Sequence, residues 1–110
     1  MQSVQVVKIH EVTEYLDKNF DHVERIQKHR FVSKKDKKTG RVTNYKEYLI
    51  HCEPGEYEGV LVFKNKEGSY EMYITTIVVY RRANKFYFIH KIPDEENKEL
   101  VFVYLKRLTN

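Results

Sequence analysis

Residues 31–50 read FVSKKDKKTGRVTNYKEYLI: two β-branched and aromatic runs on either side of a DKKTG turn. Gly40 supplies the positive backbone angle that a tight turn needs, and Asp36 opens the turn, so the stretch predicts an antiparallel hairpin. The same punctuation recurs outward from it, as EPGE at 53–56, NKEG at 65–68, RRANK at 81–85 and PDEENK at 93–98. Between these turns lie tyrosine-rich, β-branched runs at 22–35, 41–52, 57–64, 69–82, 85–92 and 99–107. Their spacing predicts a meander of about six strands in a mainly antiparallel sheet.

Upstream, Val4, Val6 and Ile9 form a short apolar alternation that predicts a strand at about residues 3–9. A helix is expected next, because Val12, Tyr15, Leu16 and Phe20 recur on one helical face, with Glu11 and Glu14 near its start and Lys18 near its end. Asn19 is expected to end it in the left-handed conformation. The fold class is therefore α+β, predominantly antiparallel β: one N-terminal amphipathic helix packed on a curled sheet with a long basic β-hairpin. One domain over residues 1–110 is expected at this length.

In the run 70–80 the even positions form a nearly continuous apolar face, whereas the odd face is polar only as far as Thr75. VLVF at 60–63 and LVFVYL at 100–105 are apolar on both faces, as central strands between two layers are. One helix cannot cover so much sheet. Either the sheet curls around the helix as a half-barrel, or its second face meets another copy in a homodimer.

The longest mostly apolar run, 74–80, contains two threonines and is too short for a bilayer, so no membrane partner is expected. The opening MQSVQVVKIH does not read as a secretory leader, and the single cysteine, Cys52, cannot form an internal disulfide. Both point to an intracellular, cytoplasmic protein, with Cys52 a small buried strand residue. One alanine against 14 lysines, nine tyrosines and six asparagines suits an AT-rich coding source such as a virus or mobile element.

Charge is concentrated in the hairpin. Residues 21–46 hold nine cations against three carboxylates, a local +6, while the whole chain sums to +4, so the other 84 residues carry −2. Arg25, Lys28, Arg30, Lys34, Lys35, Lys37, Lys38, Arg41 and Asn44 are the candidate nucleic-acid contacts, with DNA or RNA as the expected partner. Arg30, Arg41 and Asn44 are the candidate base readers, because their planar groups can bond two atoms of one base edge. Tyr45, Tyr48 and Tyr57 are candidates for stacking on unpaired bases. The competing readings are a solvated tip whose lysines deter edge-to-edge aggregation, an acidic protein partner, and a self-assembling module that uses the two-sided apolar sheet.

Catalytic signatures are sparse. The five histidines match no metal-ligand spacing, the four glycines stand singly, and no cofactor is expected. A metal-independent ribonuclease is the remaining enzymatic reading, with His29, Arg30, Tyr80, Arg81, Arg82 and His90 as its available groups.

Overall fold

The computed structural model describes residues 2–6, 9–91 and 98–108. It is mostly antiparallel β-sheet with one short helix. In chain order the elements are β1 (Gln2–Val6), α1 (Ile9–Asn19), β2 (His22–Arg25), β3 (His29–Lys35), β4 (Val42–Ile50), β5 (Gly55–Asn65), β6 (Tyr70–Arg82), β7 (Lys85–Lys91) and β8 (Lys98–Arg107). The turn expected at 93–98 lies, apart from Lys98, outside the described residues, as do residues 7 and 8 of the expected first strand.

The sheet order is β2-β8-β5-β6-β7-β4-β3, with β1 added beside the first half of β6. The two outermost strands, β2 and β3, are consecutive in the chain and separated only by residues 26–28. The expected strand over 22–35 is thus one path that pairs first with β8 and then with β4, closing the sheet into a barrel. Two backbone bonds span the handover: Ile26 donates to the Val101 carbonyl at 2.9 Å, and Leu49 donates to the Lys28 carbonyl at 3.2 Å. Val101 is the extra residue of a bulge in β8, since Val62 pairs with Phe102 but Phe63 pairs with Leu100. Such a bulge bends its strand, here where the barrel must turn.

Curling gives the two-sided strands a layer on each face. Tyr57, Leu61, Phe63, Val103 and Leu105 point into the barrel, where they meet Tyr48, Ile50, Ile77 and Phe88. Val60, Val62 and Tyr104 point outward and are covered by Leu16, with Phe20, Tyr70, Met72 and Phe102 beside them. The helix therefore lies outside the barrel instead of being wrapped by it. Tyr15, expected on its apolar face, is exposed, and the side chain of Val12 lies outside those described. Asn19 does not take the left-handed conformation: among the described non-glycine residues only Ala83 and Asn84 have positive φ. Its side-chain amide donates instead to the Tyr15 carbonyl at 2.7 Å, satisfying a carbonyl of the last turn.

The even face of β6, expected to be apolar and covered throughout, is covered only at Tyr70 and Met72, while Ile77 and Val79 on the odd face are buried. Register with β5 pairs Tyr73 with Leu61 and Ile77 with Tyr57, so the odd positions enter the barrel. Ile74 and Val78, on the even side, are 44% and 53% exposed. Gly59 explains how Ile77 fits inside: a Cβ built on Gly59 would lie 2.2 Å from Ile77 Cδ1 and 3.3 Å from Leu105 Cδ2. The missing side chain makes room for its neighbours.

Candidate nucleic-acid interface

Strands β3 and β4 pair from His29 with Tyr48 to Lys35 with Val42, and residues 36–41 form the turn. The Gly40 amide donates to the Asp36 carbonyl and the Asp36 amide to the Arg41 carbonyl, both at 2.8 Å, while Gly40 sits at φ +72°. The Asp36 carboxylate accepts the amides of Lys38 at 2.8 Å and Thr39 at 3.3 Å. The only acid between residues 31 and 46 is thus engaged in holding the turn.

Around that turn Lys34, Lys35, Lys37, Lys38 and Arg41 are all exposed. Among the described residues none of them has a carboxylate within 4 Å. The pairing sorts the ribbon into two faces. One carries Arg30, Val32, Lys34, Thr43, Tyr45 and Glu47. The other carries Phe31, Ser33, Lys35, Asn44, Lys46 and, at the root, the buried Tyr48.

Other members of the expected set are placed differently. Arg25 is on β2, opposite Phe102 of β8, and so does not belong to the ribbon. Lys28 is exposed in the handover segment. The carboxamide oxygen of Asn44 accepts the Ser33 hydroxyl at 2.8 Å. Tyr48 and Tyr57 are core residues, which leaves Tyr45 as the partly exposed tyrosine of the three, beneath the Lys34 ammonium at 5.4 Å. Cys52 follows β4 in a bend and is half-buried, and burial pushes its thiol pKa up, away from the thiolate. Its neighbour His51 turns to Glu24, with Nδ1 at 2.6 Å from Oε2.

The root of the ribbon is fastened by one buried carboxylate. Glu47 is 3% exposed. Its Oε1 accepts Arg30 Nε at 2.6 Å and Arg82 Nη2 at 2.7 Å, and its Oε2 accepts the Tyr80 hydroxyl and Arg82 Nε. Burial by itself would raise the Glu47 pKa, but the hydrogen bonds from Arg82, Tyr80 and Arg30 outweigh it and bring the group down to about 2. The Tyr80 hydroxyl is pushed well up by burial and by its bond to Glu47. Arg82 also lies over the Tyr87 ring at 4.4 Å. The carboxylate therefore ties the hairpin to β6, and it occupies Arg30, one of the three expected base readers.

Three of the six groups expected for a ribonuclease, Arg30, Tyr80 and Arg82, meet at Glu47, and His29 lines the shallow cavity of about 180 Å³ beside them. Arg81 points to Asn84 Oδ1 at 2.9 Å. His90 is beside Phe63 in the barrel, where burial lowers its pKa. Among the described residues no group of three or more His, Cys, Asp and Glu is arranged to hold a metal. Nor is any described helix long and apolar enough to cross a membrane.

A second concave feature was not legible in the sequence. A cleft of about 630 Å³ opens between the handover segment, β4, the β5–β6 turn and the start of β8. Lys46, Lys64 and Lys66 line it, with Gln27, His29 and Asn65, over a floor that includes Tyr48 and Leu100. Strand alternation places Phe31 opposite Lys46, and that pattern was the available signal for one side of the cleft. Against known proteins, the chain matches no family model, no curated protein and no solved structure.

Proposed function

We propose that this chain is a small intracellular nucleic-acid-binding protein that meets phosphates through the β3–β4 hairpin. One observation carries the reading: five exposed cations surround a turn whose only carboxylate already accepts two backbone amides. Like charges held together in this way repel, and a polyanion that displaces their counterions relieves the repulsion. The ribbon is also held firmly at its root by the Glu47 cluster, so its cations are presented on a fixed platform. The composition supports a regulator from a virus or mobile element as its setting.

If four of these cations meet phosphates on duplex DNA, the slope of log K against log salt is about −3.6. Changing Lys34, Lys35, Lys37 and Lys38 together to glutamate removes binding in a gel-shift titration while the circular dichroism spectrum is preserved. Undiminished retention of both DNA and RNA by that variant refutes the proposal.

Self-assembly is the second reading. Because the barrel interior and α1 cover both apolar faces of β5 and β8, it falls to the exposed Ile74 and Val78 on β6. Sedimentation of the wild type beside Ile74→Lys tests whether that strip joins a homodimer.

A further inference from the structure

We infer that the 630 Å³ cleft at the barrel mouth receives unpaired nucleotides, which makes the ligand of the hairpin a single strand instead of a duplex. This rests on the nucleic-acid reading above and specifies its substrate class.

The cleft has the size of a small-ligand site, within the usual ~300–1,000 Å³. Its chemistry is that of a nucleotide's two ends. Tyr48 and Leu100 are buried and only close its floor; at the rim Gln27 offers an amide, Asn65 offers its side-chain NH2 alone, because its carboxamide oxygen already accepts the Glu67 and Ser69 amides, and Lys46, Lys64 and Lys66 offer positive charge for phosphate. The ammonium groups of Lys46 and Lys64 lie over the rings of Phe31 and Tyr70, at 5.5 and 6.0 Å, and among the described residues neither has a carboxylate within 4 Å. Lys98 is different, since it is engaged by the Tyr73 hydroxyl at 2.8 Å and Glu71 at 3.1 Å. Glu99 is the one described carboxylate on the lining.

Phe31 is the independent observation. It is 68% exposed, yet its ring is held in place: His29 meets it edge-on at 5.6 Å and 87°, and leans on Tyr48 at 6.0 Å. Tyr48 in turn stacks on the buried Phe88 at 5.2 Å and 26°. An aromatic ladder therefore runs from the core to an open ring at the surface. By register Phe31 shares its face of the ribbon with His29, Lys46 and Tyr48, all of which line the cleft. A strand laid along that face meets the cations of the tip, then the open ring, then the mouth. Base-on-aromatic stacking needs a base face free of its neighbour, which a single strand provides and an intact duplex does not.

The test is fluorescence anisotropy with a labelled oligothymidine, an oligouridine of the same length, and a duplex of equal length, at fixed low salt. The wild type is expected to prefer both single strands to the duplex. Phe31→Ala is expected to reduce that preference by between about fivefold and about a hundredfold, the range for loss of one base–aromatic stack. Phe31→Trp restores it, which separates stacking from any disturbance of the hairpin. Lys64→Gln with Lys66→Gln is expected to lower the single-strand salt slope by about 1.4, for two phosphates. If the wild type binds duplex and single strands equally, or if Phe31→Ala leaves the preference unchanged, the cleft assignment fails while phosphate binding by the hairpin stands. If no oligonucleotide binds, both fail. A preference confined to one of the two single strands identifies DNA or RNA as the source of the nucleotides and supports the assignment.

Discussion

Replacing Glu47 by glutamine isolates the charge at the root of the ribbon with little change of shape. The carboxylate titrates at about 2 in the folded chain against an ordinary 4.5. At 1.36 kcal/mol per unit, that difference integrates to an upper bound of ~3.4 kcal/mol at neutral pH. Both guanidiniums that meet it are half-exposed to water, and screening there lowers the expected contribution to about 2 kcal/mol. Because the folded value is depressed, the stabilisation is complete above pH 4.5 and is lost as the pH falls through about 2. Urea titrations of wild type and Glu47→Gln at pH 7, 4, 3 and 2 should give midpoints that are well separated at neutral pH and converge toward pH 2. A separation that is the same at pH 7 and pH 2 would show that the Glu47 charge is not what fastens the hairpin.

Two further substitutions test the barrel. Gly59→Ala sets a methyl group against Ile77 Cδ1 and is expected to cost about 1–3 kcal/mol by overpacking. Combining it with Ile77→Val, which removes that carbon, should recover part of the loss, and thermal melts of the three variants measure this. Ala83 sits at φ 51°, a left-handed conformation unfavourable to any side chain, so Ala83→Gly is expected to raise stability by about 0.5–1 kcal/mol. A lower melting temperature for that variant would count against the turn geometry between β6 and β7.

Local chemistry was legible where the chain dictates it and illegible where a partner does. The DKKTG turn announces its hairpin because Asp36 and Gly40 act on their own backbone, whereas the run 22–35, which reads as a single strand, is broken at residues 26–28 into β2 and β3. That this run changes partners at Ile26 leaves no mark in the sequence, since the break comes from β8 and β4. The exposure of the even face of β6 beyond Met72 is hidden for a related reason. Ile74 and Val78 are more apolar than Tyr73 and Thr75, yet pairing with Leu61 and Tyr57 decides which side is covered. Arg82 and Glu47 are 35 residues apart, and Lys46 on β4 reaches one cleft with Lys64 at the end of β5 and Lys66 in the turn that follows. Neither grouping can be read from spacing. The charge of the hairpin was plain, but not that Arg30 is held by a carboxylate or that Phe31 stands open beside the lysines.

The strand that closes the barrel is also the strand that runs out to the ribbon's tip. Its backbone runs from Lys35 back to Lys28 and Ile26, where the Leu49 amide and the Val101 carbonyl hold the seam. The exchange rates of the Ile26 and Leu49 amides therefore read how firmly the seam between the two pairings is closed.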